Sequence, residues 1–308
     1  MPTLKVLVSD SIHLDGIKKL KEAGLEVDAL PTISKEDLVK AIGEYDALIV
    51  RSRTKVTAEV INASKTLKVI GRAGVGLDNV DVAAAEAKGI VVVNTPEAPT
   101  IAVAELTMGL LLSLVRAIPR ADAAMKGGKW IKGELEGTEL RGKTLGIIGF
   151  GRIGYQVARR AKAFDMSVLV YDVAIDRTMK YVHELQATAT ALDALLRQSD
   201  FITIHVPLLP ETRNLIDVGQ FEIMKKGAYI INTSRGGIVN EKSLADALRS
   251  GRIAGAALDV FETEPPQEWD LAEIPSTVTT PHIGAQTEES QRDSALLVAD
   301  KIIAALRA

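Results

Sequence analysis

The sequence predicts an α/β protein made of two doubly wound parallel-sheet domains. Three observations carry this. Short runs rich in Val, Ile and Leu alternate with segments of helical spacing along nearly the whole chain. The runs are continuously apolar, the pattern of strands buried on both faces of a parallel sheet. The helical segments close on Gly24, Gly89 and Gly251, where a left-handed residue ends a helix without steric cost. At ~150 residues per domain, the 308-residue length fits two such sets.

In chain order, the first set has strands over 5–8, 47–50, 68–70 and 90–93, with helical spacing over 15–23 and 80–88. It ends at Asn94-Thr95-Pro96, whose proline cannot continue a strand. Residues 101–125 then read as one long apolar helix that Pro119 should kink. The second set has strands over 145–148, 167–171, 201–206, 228–232 and 254–260, a helix over 243–250, and a strand-like run over 277–281. A closing helix over 287–307 could return to the first set. The expected domains are therefore 1–98 plus 286–308, and 99–285.

Composition excludes several classes of function. Hydrophobic residues at 47% and charged residues at 25% rule out a mostly disordered chain. Lys+Arg total 37 against 40 Asp+Glu, so a net charge of −3 offers no basic field to nucleic acid or an anionic membrane. The apolar run 106–115 lies between Glu105 and Arg116 and is too short to cross a bilayer, and the run 4–8 is too short for a signal peptide. With no cysteine there are no disulfides, thiolate ligands or thiol nucleophile, which favours a reducing cytoplasm. No pair of the four histidines has metal-ligand spacing and no serine sits in a nucleophile elbow, so metal and hydrolytic chemistry find no support.

The second set opens on a phosphate-binding signature. Gly149-Phe150-Gly151-Arg152-Ile153-Gly154 gives G-x-G-x-x-G directly after an apolar strand and at the start of a helix. Gly149 permits the tight turn, Gly151 lets a pyrophosphate approach the backbone, and Gly154 lets helix and strand pack closely. The anion would rest on the helix N-terminus. The next strand ends at Asp172, 21 residues after Gly151, where a carboxylate can accept both ribose hydroxyls and repel a 2′-phosphate. Val173-Ala174 supplies no basic residue, so NAD is favoured over NADP. The earlier Gly71-Arg72-Ala73-Gly74-Val75-Gly76 has Asn79 where the third glycine should stand and reads as a loop able to hold a small anion.

An alcohol dehydrogenase needs a proton carrier and a cation for its substrate. His13 and His183 read as surface residues, and His205 as either a cleft residue or a packed strand histidine. His282 follows a strand-like run closed by Pro281, at the sheet edge where such folds bind ligands. Arg235 and Glu264 also follow strands; each could equally be a surface arginine or a solvated acid among Glu262, Glu268 and Asp270.

Residues 142–154, 232–241, 258–265 and 280–285 together closely resemble the D-isomer-specific 2-hydroxyacid dehydrogenases. The segment 71–81 and the overall length are most similar to short members acting on 3-phospho-D-glycerate. The resemblance implies a Rossmann-type NAD domain plus a flavodoxin-like substrate domain, and NAD-dependent oxidation of 3-phospho-D-glycerate to 3-phosphooxypyruvate in serine biosynthesis. His282 would be the acid/base, Glu264 its carboxylate partner and Arg235 the substrate binder. Gly149, Gly151, Arg152, Ile153, Gly154, Asp172, Pro207, Thr212, Thr233, Ser234, Asp259 and Gly284 would line the cofactor, with Asp259 on the carboxamide. Arg51, Ser52, Arg53 and the amides of Gly74-Val75-Gly76 would hold the substrate, the arginines its phosphate. The resemblance also implies a homodimer touching through the helix from Ile101, no metal, and, since the sequence stops at Ala308, no C-terminal serine-inhibition domain. Pro99 stands where many phosphoglycerate-oxidising members have asparagine. The alternatives are a glyoxylate or hydroxypyruvate reductase of the same family, and an NAD-sensing, corepressor-like binding protein.

Overall fold

A computed structural model describes residues 3–308, which fall into two units: 3–100 with Ala285–Ala308, and Ile101–Gly284. The first unit has strands β1 (Lys5–Val8), β2 (Glu26–Ala29), β3 (Ala47–Val50), β4 (Val69–Arg72) and β5 (Val91–Asn94) in the order β2-β1-β3-β4-β5, all parallel. Val6, Leu7, Leu48, Ile49, Val69 and Ile70 are fully buried, which is why these stretches carry no polar alternation. The sequence pattern misses β2, Glu-Val-Asp-Ala. As an edge strand with a half-open face it needs no continuous apolar run.

The closing helix, Glu288–Arg307, lays Val298, Ala299 and Ile302 on the face formed by Val6, Val8, Ile49 and Val69. Burying a side chain such as Val298 or Ile302 stabilises by roughly 1.5–3 kcal/mol, which outweighs about 0.5–1 kcal/mol of lost rotamer freedom. The approach is close. A Cβ on Gly71 would lie 2.7 Å from Val298 Cγ2, and one on Gly16 would lie 2.6 Å from the Ala295 carbonyl oxygen.

The second unit has β6 (Thr144–Ile148), β7 (Ser167–Tyr171), β8 (Thr188–Ala189), β9 (Phe201–Ile204), β10 (Ala228–Asn232), β11 (Ile253–Leu258) and β12 (Thr277–Thr279). Their order is β12-β11-β10-β9-β6-β7-β8, again all parallel. The chain starts mid-sheet at β6, winds out to β8, crosses back to β9 and winds out the other way to β12. Strand order thus reverses between β6 and β9, and doubly wound sheets bind ligands outside the carboxyl ends at such a point. Counted from its own first strand, this unit has the Rossmann order and the first unit has the flavodoxin-like order.

Three expectations are corrected. The single helix over 101–125 is two helices, Thr100–Val115 and Ile118–Lys126, bent by 66°. The break is at Ala117, in the left-handed region (φ 51°), and Pro119 lies in the first turn of the second helix, where its missing N–H would have had no partner. His183 lies in the short helix Met179–Glu184, not in a loop. The strands expected over 201–206 and 254–260 stop at Ile204 and Leu258, so His205 and Asp259 already lie past the sheet edge. Among the described residues no single helix is long and apolar enough to cross a membrane.

Candidate active site

The turn after β6 is built by three glycines with three different tasks. Gly149 has φ +92°, and a Cβ there would come 2.5 Å from the His205 carbonyl oxygen. A Cβ on Gly154 would strike the Gly149 carbonyl, so the helix Arg152–Ala163 can lie against the strand only with glycine there. A Cβ on Gly151 would meet nothing within 4 Å, which marks the open side of the turn. Gly151 caps the helix without a side-chain acceptor. The N–H groups at Arg152, Ile153 and Gly154 therefore face an N-terminus suited to an anion. Asp172 braces the turn: its Oδ2 accepts the Phe150 N–H at 2.8 Å and its Oδ1 the Ala174 N–H at 2.7 Å. Each carboxylate oxygen keeps a lone pair for a ribose hydroxyl. These groups fit a dinucleotide.

Two more loops border the same sheet edge. After β9, the Thr212 hydroxyl donates to the Pro207 carbonyl at 2.6 Å and accepts the Leu209 N–H at 2.8 Å, which closes that loop on itself. After β10, the Asn232 side chain accepts the Ser234 N–H (3.1 Å) and hydroxyl (2.7 Å) and donates to the Arg235 carbonyl (2.9 Å). Thr107 donates its hydroxyl proton to the Val103 carbonyl, so in its 2.9 Å contact with Thr233 it must accept. Asn232 and Thr107 were missed in the sequence. The only available signal for Asn232 was a polar residue closing an apolar strand just before the glycine pair.

Asp259 is fully buried. It accepts the Thr280 hydroxyl at 2.6 Å, the Ile283 N–H at 2.8 Å and the Gly284 N–H at 2.8 Å. Burial pushes its carboxyl up, and those three donors oppose the shift. A Cβ on Gly284 would sit 3.1 Å from Asp259 Oδ2. Asp259 therefore folds the turn that carries His282, and the Gly284 N–H is spent on it. In that turn His282 is held at φ 52°, a left-handed conformation that persists only where its surroundings impose it.

His282 Nδ1 lies 2.7 Å from Glu264 Oε2. The other oxygen of Glu264 accepts the Phe261 N–H at 3.2 Å. Burial pushes the Glu264 carboxyl up, but the bond from His282, the Phe261 N–H and the Arg235 charge hold it below the ordinary range. With Nδ1 committed to Glu264, Nε2 is the ring nitrogen placed to exchange a proton. Arg235, whose Nη1 donates to the Ser234 carbonyl at 2.7 Å, belongs to the same electrostatic group. The structure thus brings together Arg235, Glu264 and His282 from the ends of β10, β11 and β12. His205 is separate. Burial pushes its ring down to about 3, so it stays a neutral imidazole near neutral pH.

In the first unit, the two expected arginines differ. Arg53 is absorbed by the fold: its guanidinium donates to the Ser9 carbonyl (2.6 Å) and the Ile33 carbonyl (3.2 Å) and pairs with Asp10 at 3.1 Å. The Arg51 guanidinium makes only long contacts, 3.3 Å to the Ser11 carbonyl and 3.4 Å to Gln286. Ser52 is exposed. Buried Asp10 also accepts the Arg51 N–H (2.6 Å) and the Thr54 hydroxyl (2.6 Å), organising the loop as a residue the sequence did not single out. Gly74 has φ +146°. The Gly74 carbonyl accepts the Thr95 N–H at 2.9 Å and the Val75 carbonyl the Asn94 side chain at 2.5 Å, which fixes the Gly74-Val75-Gly76 loop.

Comparison with known proteins places this geometry in context. Residues 108–284 match the family described as D-isomer specific 2-hydroxyacid dehydrogenase, NAD binding domain. The chain is 49% identical to D-3-phosphoglycerate dehydrogenase of Methanocaldococcus jannaschii over 99% of its length and 58% of that protein's. It is 47% identical to the Homo sapiens D-3-phosphoglycerate dehydrogenase over 93% of its length and 54% of that protein's. The chain therefore spans about half the length of the curated relatives it matches. Among solved structures, the TT0316 protein from Thermus thermophilus superposes with a TM-score of 0.90 at 36% identity, covering 99% of this chain and 97% of that one. A glyoxylate reductase from Paecilomyes thermophila gives 0.88 at 31% identity, covering 98% and 95%.

Proposed function

The chain belongs to the D-isomer-specific 2-hydroxyacid dehydrogenases, and from that premise we propose that it oxidises 3-phospho-D-glycerate to 3-phosphooxypyruvate with NAD. The observation that carries this reading is the Arg235, Glu264 and His282 group at the carboxyl edge of a dinucleotide-binding sheet, in a chain 47–49% identical to proteins named for that reaction. NAD held on the turn 149–154 and Asp172 would supply the acceptor for the C2 hydride. His282 Nε2 accepts the proton of the C2 hydroxyl, and the Glu264 carboxylate stabilises the imidazolium that forms. Arg235 holds the carboxylate and the developing carbonyl, and the amides of Gly74-Val75-Gly76 add to carboxylate binding. In the reverse direction His282 returns the proton.

Asp172 is the residue we assign to the choice of NAD over NADP. A lost charge-assisted hydrogen bond costs about 1.5–3 kcal/mol, so Asp172→Ala should raise the NAD KM about tenfold or more and narrow the NAD/NADP preference. An unchanged preference would remove Asp172 from cofactor selection.

The phosphate of the substrate is assigned to Arg51, since Arg53 is spent on backbone carbonyls and Asp10. The decisive experiment measures NAD reduction with phosphoglycerate, glycerate, D-lactate and 2-hydroxyglutarate, for the parent and for Arg51→Ala. Phosphoglycerate should be the preferred substrate, and Arg51→Ala should lower its kcat/KM about tenfold or more beyond any loss on D-lactate. Equal losses would favour the second reading, reduction of glyoxylate or hydroxypyruvate, which Pro99 and the likeness to a glyoxylate reductase support.

We also place the protein in the cytoplasm as a homodimer. The helix Ile118–Lys126 buries none of its residues, and Ile118, Met125 and Trp130 are exposed in one stretch of chain. A second copy would cover them, and light scattering on the same preparation should then give about twice the 33.0 kDa chain mass.

A further inference from the structure

We propose that Glu241 is a positioning residue for the Glu264–His282 pair. The inference rests on the function proposed above and concerns how that pair is held. Glu264 sits on the loop 261–264, which follows β11 and is exposed along most of its length. Its side chain folds back on its own loop through the Phe261 N–H, so its position at His282 is only as fixed as the backbone of residues 261 and 262.

Two features from the segment following β10 fix that backbone. At Gly236 the main chain passes so close that a Cβ would fall on the Phe261 carbonyl and crowd the Glu262 nitrogen. Five residues on, Glu241 Oε1 accepts the Glu262 N–H at 2.5 Å, while the Glu241 N–H faces Glu262 Oε1 at 3.4 Å. This is a reciprocal clamp between the start of the helix Glu241–Arg249 and the loop that bears Glu264.

Glu241 is not needed to cap its own helix. Asn240 does that, accepting the Ser243 N–H at 3.0 Å. Burial pushes the half-buried Glu241 carboxyl up, the Glu262 N–H opposes that shift, and the charges of Glu262 and Glu264 add to it. A carboxylate kept beside two others at that electrostatic cost points to the N–H it accepts. The clamp ties the Arg235 loop to the Glu264 loop, so the cation and the acid/base pair keep their spacing when substrate enters between them.

The test compares Glu241→Ala with Glu241→Gln, which keeps an acceptor for the Glu262 N–H. Glu241→Ala is expected to lower kcat about tenfold with the NAD KM and melting temperature near the parent's, and Glu241→Gln to restore kcat to within about threefold. Parent-like kcat in Glu241→Ala would overturn the proposal, and so would equal losses in both variants. A second readout does not depend on turnover: the NMR pH titration of the His282 ring should shift in Glu241→Ala and return in Glu241→Gln. If the parent turns over none of the tested acids, the proposed function fails while this titration still decides the role of Glu241. Superimposable titrations of parent and Glu241→Ala would then refute it.

Discussion

His282→Ala is expected to lose about 10²–10⁴-fold in turnover in both directions, the usual contribution of a positioned general acid–base group, while binding NAD as the parent does. The two functions sit on different loops. The dinucleotide turn 149–154 and Asp172 follow β6 and β7, and neither Gly149 nor Asp172 has a hydrogen bond to His282. One complication is the backbone: His282 has φ 52°, which alanine tolerates poorly. His282→Asn settles it, because asparagine accepts a left-handed conformation and cannot carry the proton. Both variants should fall equally in kcat and quench or enhance NADH fluorescence at parent concentrations. Turnover within tenfold of the parent in His282→Asn would assign the proton to another group.

The parts legible in the sequence were those in which side-chain type follows from burial. The central strands read directly because Leu145, Ile147, Ile202, Ile204, Ile230 and Ile231 are fully buried, leaving no position for a polar residue. The turn 149–154 was legible for a similar reason, since two of its glycines abut backbone and admit nothing larger. The edge strand β2 was not legible, because a strand paired on one side and half-exposed tolerates Glu26 and Asp28. Nor was the break at Ala117. A left-handed alanine has no sequence signature, and Pro119 pointed two residues downstream of it.

At the site, the sequence signalled the reactive side chains but not their supports. Asn232, Asp10 and Glu241 act through backbone N–H groups that spacing alone does not assign to them, so only the folded chain reveals them. Arg51 and Arg53 could not be told apart by spacing. Three acceptors, the Ser9 and Ile33 carbonyls and Asp10, claim the Arg53 guanidinium and leave that of Arg51 with contacts no shorter than 3.3 Å.

Glu264→Gln should lower turnover in both directions and abolish an acid-side loss of stability. Glu264 is held below the ordinary carboxyl range despite its partial burial, so at every working pH it is a carboxylate facing His282 Nδ1 at 2.7 Å. That carboxylate orients the ring and steadies the imidazolium that forms when His282 takes the proton of the alcohol. Glutamine keeps the size and one acceptor and removes the charge. Turnover should therefore fall in the variant in both directions. A hydrogen bond to a charged group is worth about 1.5–3 kcal/mol, or about ten- to a hundredfold in rate. With 45% of the His282 side chain and 38% of the Glu264 side chain exposed, solvent screening sets the expectation at about tenfold, the lower end. Stability should respond with its own sign. The folded carboxyl lies below its unfolded value, so the pair's contribution is complete above that value and fades as pH falls through the folded one. Glu264→Gln should lack that acid-side loss. Rate profiles of parent and variant that superimpose in both directions would remove the carboxylate from the proton's path and leave His282 acting alone.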